Sequence, residues 1–523
     1  MKRLITWCVL LLPLSISAET YQVTSVNDEP PDGCQIQDCT LREAIIAANQ
    51  NPGEDTVLLN DSTYFLYQQG PEEDFGVSGD LDVLDDLRIV GKFTATEPLD
   101  VLTLLETNQL GESVFEVHEN VSFYMEQVVL KNSNVIGTFG GGIKATNAQI
   151  DLNQVVFSQN EARKGGGIYS FFSQLTIRNS VFENNYSNSE GGAIMLIGGS
   201  LSVEDSFFIG NQALTNGGGI HASFVAHQNH PTINLDHVFV INNYAQNSGG
   251  GLFLSGTENM AADILINRTL IQNNEAQFGG GLSQEGSINL EIKASSLFTN
   301  RAAAQGNINT ANGGAIMLRP GATPFIPQLF VENTTFYENF AEDEAGAIFS
   351  SSGLIELLNV TLSQNQAENY STLLSNSSSV KFSHVTAYGN NAFNDIDFII
   401  DDDSHLTLVN NLLMAQCSLN RRNTDSLGGN IESPNNTCGI GEGANDSFGV
   451  SPTLLLDPSL SLNGGPTATH AINTTSAALD NGVPLNTTST DQRYMLRDIN
   501  PDSGAFERQP FEFDLIFKNG FEI

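Results

Sequence analysis

Four of the chain's eight histidines, His221, His227, His230 and His237, fall in one short stretch. Imidazoles gathered like this can ligate a transition metal or act as an acid/base pair. Their spacing matches no zinc motif, and polar loops collect histidine without needing a ligand. Asp80 with Asp82, and the run Asp401 to Asp403, offer oxygen ligands of the kind calcium takes. Neither lies in an EF-hand loop, and the glycine segments lack the aspartates of calcium-binding nonapeptides. We read both groups as solvated acidic turns and assign no metal and no cofactor. Arginine is scarce in the central region, and Arg178 and Arg268 fall in what reads as one column otherwise filled by Asn, Asp, His or Ala. That scatter marks an exposed strand position rather than a catalytic base, so no catalytic residue is assigned.

The chemistry the chain repeats is an amide. Asn160, Asn185, Asn211, Asn243, Asn274, Asn300, Asn339, Asn365 and Asn390 each follow an apolar residue by three positions, and most precede an alanine by two, as in Phe157 to Asn160 to Ala162 or Phe336 to Asn339 to Ala341. A near-constant step with occasional insertions, here around 212–237, 252–264 and 300–330, means stacked structural repeats with loops on the surface.

The elements that must position these amides follow from what surrounds them. Seven and five residues before each anchoring apolar residue stand two more apolar side chains with one residue between them, such as Leu175 and Ile177, Leu201 and Val203, or Ile264 and Ile266. That alternation is a strand with one buried face. After the Asn come a polar turn and a glycine-rich strand start: GGGI from Gly165 to Ile168, GGAI from Gly191 to Ile194, GGGI from Gly217 to Ile220, and a decayed AGAI from Ala345 to Ile348. A coil of such short strands cannot bury its inward face alone. Parallel stacking buries it, and the Asn column becomes a ladder at one corner.

The paired FxxN and GGAI repeats resemble those of the chlamydial polymorphic outer membrane proteins, over the stretch from Phe123 to Gln416. The resemblance implies a right-handed parallel β-helix, an all-β solenoid of the kind pectate lyases use, and a role in adhesion. Ahead of it, Cys39 to Val57 carries a capping box at Thr40 and Glu43 and apolar residues at Leu41, Ala44, Ile45 and Ala48, which predicts a short amphipathic helix ended by Pro52 and Gly53. With SGDLDV at Ser78 to Val83, this segment resembles the CSLREA domain of secreted bacterial β-helix proteins and reads as a plug over the open end of the solenoid. Ser461 to Gly482, TDQR at Thr490 to Arg493 and DSGAFE at Asp502 to Glu507 resemble the choice-of-anchor Q region. These boundaries divide the chain into a signal (1–18), a cap (19–100), the repeats (101–417), the Q-like region (418–508) and a tail (509–523). Residues 418–450, polar and Asn/Gly-rich, read as a long loop.

Lys2 and Arg3, an apolar run from Leu4 to Leu14 and small residues up to Ala18 read as a secretory signal. The mature chain is expected outside the cytoplasm, secreted or on a bacterial surface, where its remaining cysteines form disulfides. Four cysteines permit three pairings, and proximity favours Cys34 with Cys39 and Cys417 with Cys438. The formal net charge of −39 argues against nucleic acid and anionic lipid as partners, and no stretch after the signal is apolar enough to span a membrane. Galacturonan hydrolases on this type of solenoid need clustered carboxylates on adjacent coils. Their GHG and RIK motifs are absent, and the Asn-Thr-Asp triplet, Asn423 to Asp425, lies beyond the repeats. The expected function is therefore non-catalytic: adhesion, or binding of a surface ligand or glycan. The alternatives are a polysaccharide lyase or hydrolase, and a structural component of an envelope or matrix.

Overall fold

The computed structural model describes residues 18–70, 75–92, 103–107, 110–225, 231–256, 262–304, 310–321, 326–369, 372–392, 396–419, 421–441, 443–451, 455–484 and 488–509. Residues 1–17 of the predicted signal and the segment 510–523 lie outside these residues, as do His227 and His230.

Each full coil visits four strand positions. In one coil they are Gln149–Asn153, Val156–Ser158, Glu161–Lys164 and Ile168–Phe171. The equivalent strands of the next coil, Gln174–Arg178, Val181–Glu183, Tyr186–Ser187 and Ile194–Ile197, pair with them in parallel and in register. Repetition builds four parallel sheets, which we call I to IV in the order the chain meets them, with 15, 15, 10 and 13 strands among the described residues. The molecule is an all-β right-handed parallel β-helix. In sheet I the residues alternate between the core and the outside, because successive side chains of a strand point to opposite faces. Like residues lie over like: the rings of Phe157, Phe182 and Phe208 stack inside sheet II at centroid distances of 4.7 and 4.8 Å, with interplanar angles of 3°.

Glycine fills two positions of most turns into sheet IV for backbone reasons. Gly217 takes φ of 68°, and in the decayed repeat Ala345 is held at φ of 60° instead, a conformation that costs an L-residue about 1 kcal/mol or more. At the next position a Cβ on Gly218 would come within 2.3 Å of the carbonyl oxygen of Gly250 and 2.4 Å of that of Tyr244. Neighbouring coils meet backbone to backbone there.

The stack runs beyond the repeats at both ends. Thr20–Gln22, Asp55–Leu58 and Leu87–Val90 are the first three strands of sheet I. Leu41–Gln50 is the one α-helix among the described residues. Thr40 accepts from the Glu43 amide while Glu43 accepts from the Thr40 amide, and Leu41, Ala44, Ile45 and Ala48 join the solenoid core. At the far end, residues 418–450 are not the long loop their composition suggests. Cys417–Leu419, Thr424–Ser426, Ile431–Ser433 and Ser447–Phe448 continue sheets IV, I and II. These coils are shorter, so the repeat spacing is lost; Ile440 still joins the solenoid core, while Ile431 packs outward in the cluster of Leu412 and Phe506. Disulfides join Cys34 to Cys39 and Cys417 to Cys438. Residues 455–507 then fold back along the outside of sheet II, with an antiparallel hairpin of Leu456–Ser461 and Thr469–Ile472.

Candidate functional site

At the corner between sheets II and III the nine asparagines stack as a ladder. Asn185 Nδ2 donates to Asn211 Oδ1 at 2.9 Å and to the Phe157 carbonyl at 2.9 Å, while its backbone N–H donates to the same Asn211 oxygen at 3.0 Å. The pattern runs from Asn160 through Asn243, Asn274, Asn300, Asn339 and Asn365 to Asn390. With its polar atoms consumed inside the corner, the column has none left for a ligand. A second column went unread in the sequence. Ser180, Ser206, Thr269, Ser295 and Thr334 present hydroxyls to backbone N–H groups one coil back, at the corner between sheets I and II. Its signal is a Ser or Thr two residues before many of the sheet II anchors, as in Ser206 before Phe208, with Val155, Val238, Val360 and Val385 at the same position in other coils.

The outward face of sheet I carries polar side chains in register, some of them already paired: Asn289 Nδ2 donates to Asp263 Oδ1 at 2.9 Å, and Lys293 meets Glu291 at 2.9 Å. Thr232, Asp263 and Asn289 lie in one column, and Asn234, Leu265 and Glu291 in the next. Together with the backbone at Ile233 and Ile264 these six line an open cavity of about 360 Å³, near the lower end of the range for ligand sites. The flanking insertions lie outside the described residues. Five acceptor-bearing groups around one apolar side chain suit a polyhydroxylated ligand, whose hydroxyls need acceptors and whose C–H faces need apolar contact.

Charges elsewhere on this face pair from coil to coil. Arg178 Nη2 meets Asp151 at 2.6 and 2.8 Å, and Lys381 meets Glu356 at 2.6 Å. Arg268 donates to both oxygens of Asp236, its Nε at 2.9 Å, and that guanidinium holds the Asp236 carboxyl below the usual range. The two arginines do not share a column. Arg178 stacks with Glu204 at the end of a sheet I strand, whereas Arg268 sits in the turn one position later, with φ of 48°, equivalent to Asp205 and His237. The one-residue offset comes from the left-handed turn residue that ends each sheet I strand, which the sequence pattern does not mark. His237 Nδ1 lies 2.5 Å from Asp205 Oδ1, so the exposed groups Asp205, His237, Asp236 and Arg268 gather on this corner.

His221 stands elsewhere, on a sheet IV strand, buried and packed at 4.8 Å against Phe253. Burial pushes its pKa down to about 4, so it stays neutral. His221 and His237 are not brought together. The triplet Asn423 to Asp425 leads into the last strand of sheet I, where Asp425 meets His405 at 3.1 Å. Asp401 accepts from Ser377 and Ser404 at an exposed turn.

In the N-terminal cap, Asp80, Asp82 and Glu116 bring carboxylate oxygens within 4.8 Å of one another, because Leu81–Val83 pairs in register with Phe115–Val117. Asp82 accepts from the Gly76 amide at 2.8 Å and meets His118 Nε2 at 2.7 Å, and Glu116 meets Lys144 at 2.7 Å. Burial first, then Asp82, Glu116 and Glu112, push the Asp80 carboxyl up to about 8. Oxygen ligands so placed fit a hard divalent cation, but at neutral pH a proton already neutralises the group, and His118 and Lys144 engage the other two carboxylates. A folded state that holds this proton more tightly than the unfolded chain is favoured below the ordinary value of 3.8, and that advantage is lost as pH rises through about 8. The expected result is that Asp80→Asn removes a stability loss seen in the parent chain as pH rises from about 4 to about 8, measured by urea unfolding at each pH.

Residues 154–170, 179–196 and 205–223 match the Chlamydia polymorphic membrane protein repeat. No curated protein matches the sequence. Among solved structures, a pectate lyase aligns over 95% of this chain and 98% of its own at 15% identity and a TM-score of 0.35. The A-module of the Azotobacter vinelandii mannuronan C-5 epimerase aligns over 75% and 95% at 15% identity and 0.33. A rhamnogalacturonan lyase aligns over 84% and 91% at 13% identity and 0.22. No described helix is long and apolar enough to cross a membrane.

Proposed function

We propose that the chain is an exported β-helix rod, at or released from a bacterial surface, that holds an extended extracellular glycan along sheet I without cleaving it. The observation that carries this reading is the two-column patch of Thr232, Asn234, Asp263, Leu265, Asn289 and Glu291, which spans three coils with no His or Arg in it. Export is supported by the leader-like N-terminus, the two disulfides, the polymorphic membrane protein repeats and the resemblance of the flanking segments to CSLREA and choice-of-anchor Q regions.

A glycan-array screen run beside a polysaccharide-degradation assay tests it. Stable binding without product is expected, and Asn234→Ala or Asp263→Ala should each weaken that binding about tenfold, the worth of one good hydrogen bond. Product release without a stable complex would favour a lyase or hydrolase. That second reading draws on the corner of Asp205, His237, Asp236 and Arg268, where a carboxylate-backed imidazole stands one coil from a guanidinium. In that case His237→Ala abolishes turnover.

A further inference from the structure

The outward face of sheet I is uneven in charge. Its two outward columns, followed from Gln149 and Asp151 to Leu354 and Glu356, hold no Lys, Arg or His over eight successive coils, a span of about 34 Å at ~4.8 Å per step. Four carboxylates stand in those columns, and three of them are answered by cations at neighbouring positions. Asp151 meets Arg178 at 2.6 Å, Glu291 meets Lys293 at 2.9 Å, and Glu356 meets Lys381 at 2.6 Å. The fourth, Asp263, has no cation beside it among the described residues. It is exposed and stands on the middle coil of the three that line the cavity. Its Oδ1 accepts from Asn289 Nδ2 at 2.9 Å, while its Oδ2 accepts from no described group. A carboxylate has no hydrogen to give, so Asn289 must turn its NH2 toward Asp263, and this leaves Asn289 Oδ1 as a further acceptor.

We propose that the glycan held on sheet I is one whose sugars carry free amines, with a protonated amine seated on Asp263. This rests on the reading of sheet I as a glycan-binding face and names the class of glycan. An ammonium donates three hydrogen bonds and accepts none, so it suits a patch whose open valences are the oxygens of Asp263 and Asn289. A hydrogen bond between two charged groups is about twice as strong as one between neutral groups. An N-acetylated sugar brings a single neutral N–H and adds a carbonyl where acceptors already prevail. A uronate fits less well still, because its carboxylate would face Asp263 and Glu291 while the nearby cations Arg178 and Lys293 are engaged. Leu265, two residues along the strand from Asp263, offers apolar contact to the C–H face of the sugar ring. At longer range the net charge of −39 draws a polycation toward the rod and repels a polyuronate.

The test compares three probes of equal length by calorimetry: a glucosamine oligomer with free, protonated amines, its N-acetylated form, and a galacturonate oligomer. The expected result is that the amine form binds at least about tenfold more tightly than the acetylated form, that the galacturonate form does not bind, and that the preference shrinks as salt rises. Asp263→Asn should remove the preference with the circular dichroism unchanged. Glu368→Gln, which deletes one exposed carboxylate just after a sheet III strand, should keep it. Equal binding of the first two probes, or tighter binding of galacturonate, overturns the amine assignment and leaves the glycan-binding reading standing. A preference that survives Asp263→Asn also overturns it, because net charge alone would then be the cause. Failure of every glycan on the array to bind overturns the reading of sheet I and this assignment with it.

Discussion

Asn211→Ala should destabilise the solenoid by about 3–9 kcal/mol, because it orphans three buried groups at once and each costs about 1–3 kcal/mol. The backbone N–H and one Nδ2–H of Asn185 lose the acceptor they share at 3.0 and 2.9 Å, and the Phe182 carbonyl loses its donor at 2.8 Å. The vacated space adjoins backbone already in close approach, so neighbouring coils cannot collapse into it. Asn247→Ala is the control. That residue is an exposed asparagine paired with Asn216 at 2.9 Å, and its loss should cost less than about 0.5 kcal/mol. Urea unfolding of the two variants measures the contrast. Equal losses would mean that the ladder contributes no more than a surface amide pair.

The second large effect is expected at the cap. Arg42 and Asp28 form an ion pair in which both side chains are fully buried. Arg42 also donates to the carbonyls of Gly76, Gly79 and Asp80, and Asp28 accepts from the amides of Tyr67 and Gln68. Arg42→Met keeps the volume but strands a carboxylate and three carbonyls in the interior, at a cost of about 3–5 kcal/mol. Because the helix Leu41–Gln50 covers the first coils, losing the cap exposes a row of unpaired strand edges and an open core. The expected readouts are a lower-temperature unfolding step and end-to-end association in size-exclusion chromatography. Adding Asp28→Leu should recover part of the loss and not all of it, since two amides still need the Asp28 oxygens.

The two results test different layers of what the sequence carried. The Asn column, the inward pairs such as Leu201 and Val203, and the Thr40–Glu43 cap were legible because each rests on a local spacing that repeats or on a short motif. The hydroxyl ladder of Ser180, Ser206 and Thr269 was not, because serine and threonine are common enough that their recurrence escapes notice without the register. Nor were the last coils, which lose the spacing and put Glu432 below Leu413 in the sheet II stack. The offset between Arg178 and Arg268, and the separation of His221 from His237, were illegible for a related reason. Positions one residue apart point to different faces, and which residue forms the left-handed turn is fixed by stacking, not by composition. Asp80 and Asp82 were legible as an acidic pair, but not their burial, which is the main reason Asp80 holds its proton, nor Glu116, which reaches them from a coil away and adds to the effect.

The patch on sheet I was the least legible feature, since Thr232, Asp263 and Asn289 are separated in sequence by insertions of unequal length and become one column only after folding. Whether that column retains a glycan intact is decided most directly by incubating the protein with the polysaccharide it binds best and measuring the polymer's length distribution while the complex is monitored. A persistent complex with the polymer at its original length, weakened by Asp263→Ala, is the predicted result. Shortened chains accompanied by loss of the complex would contradict it.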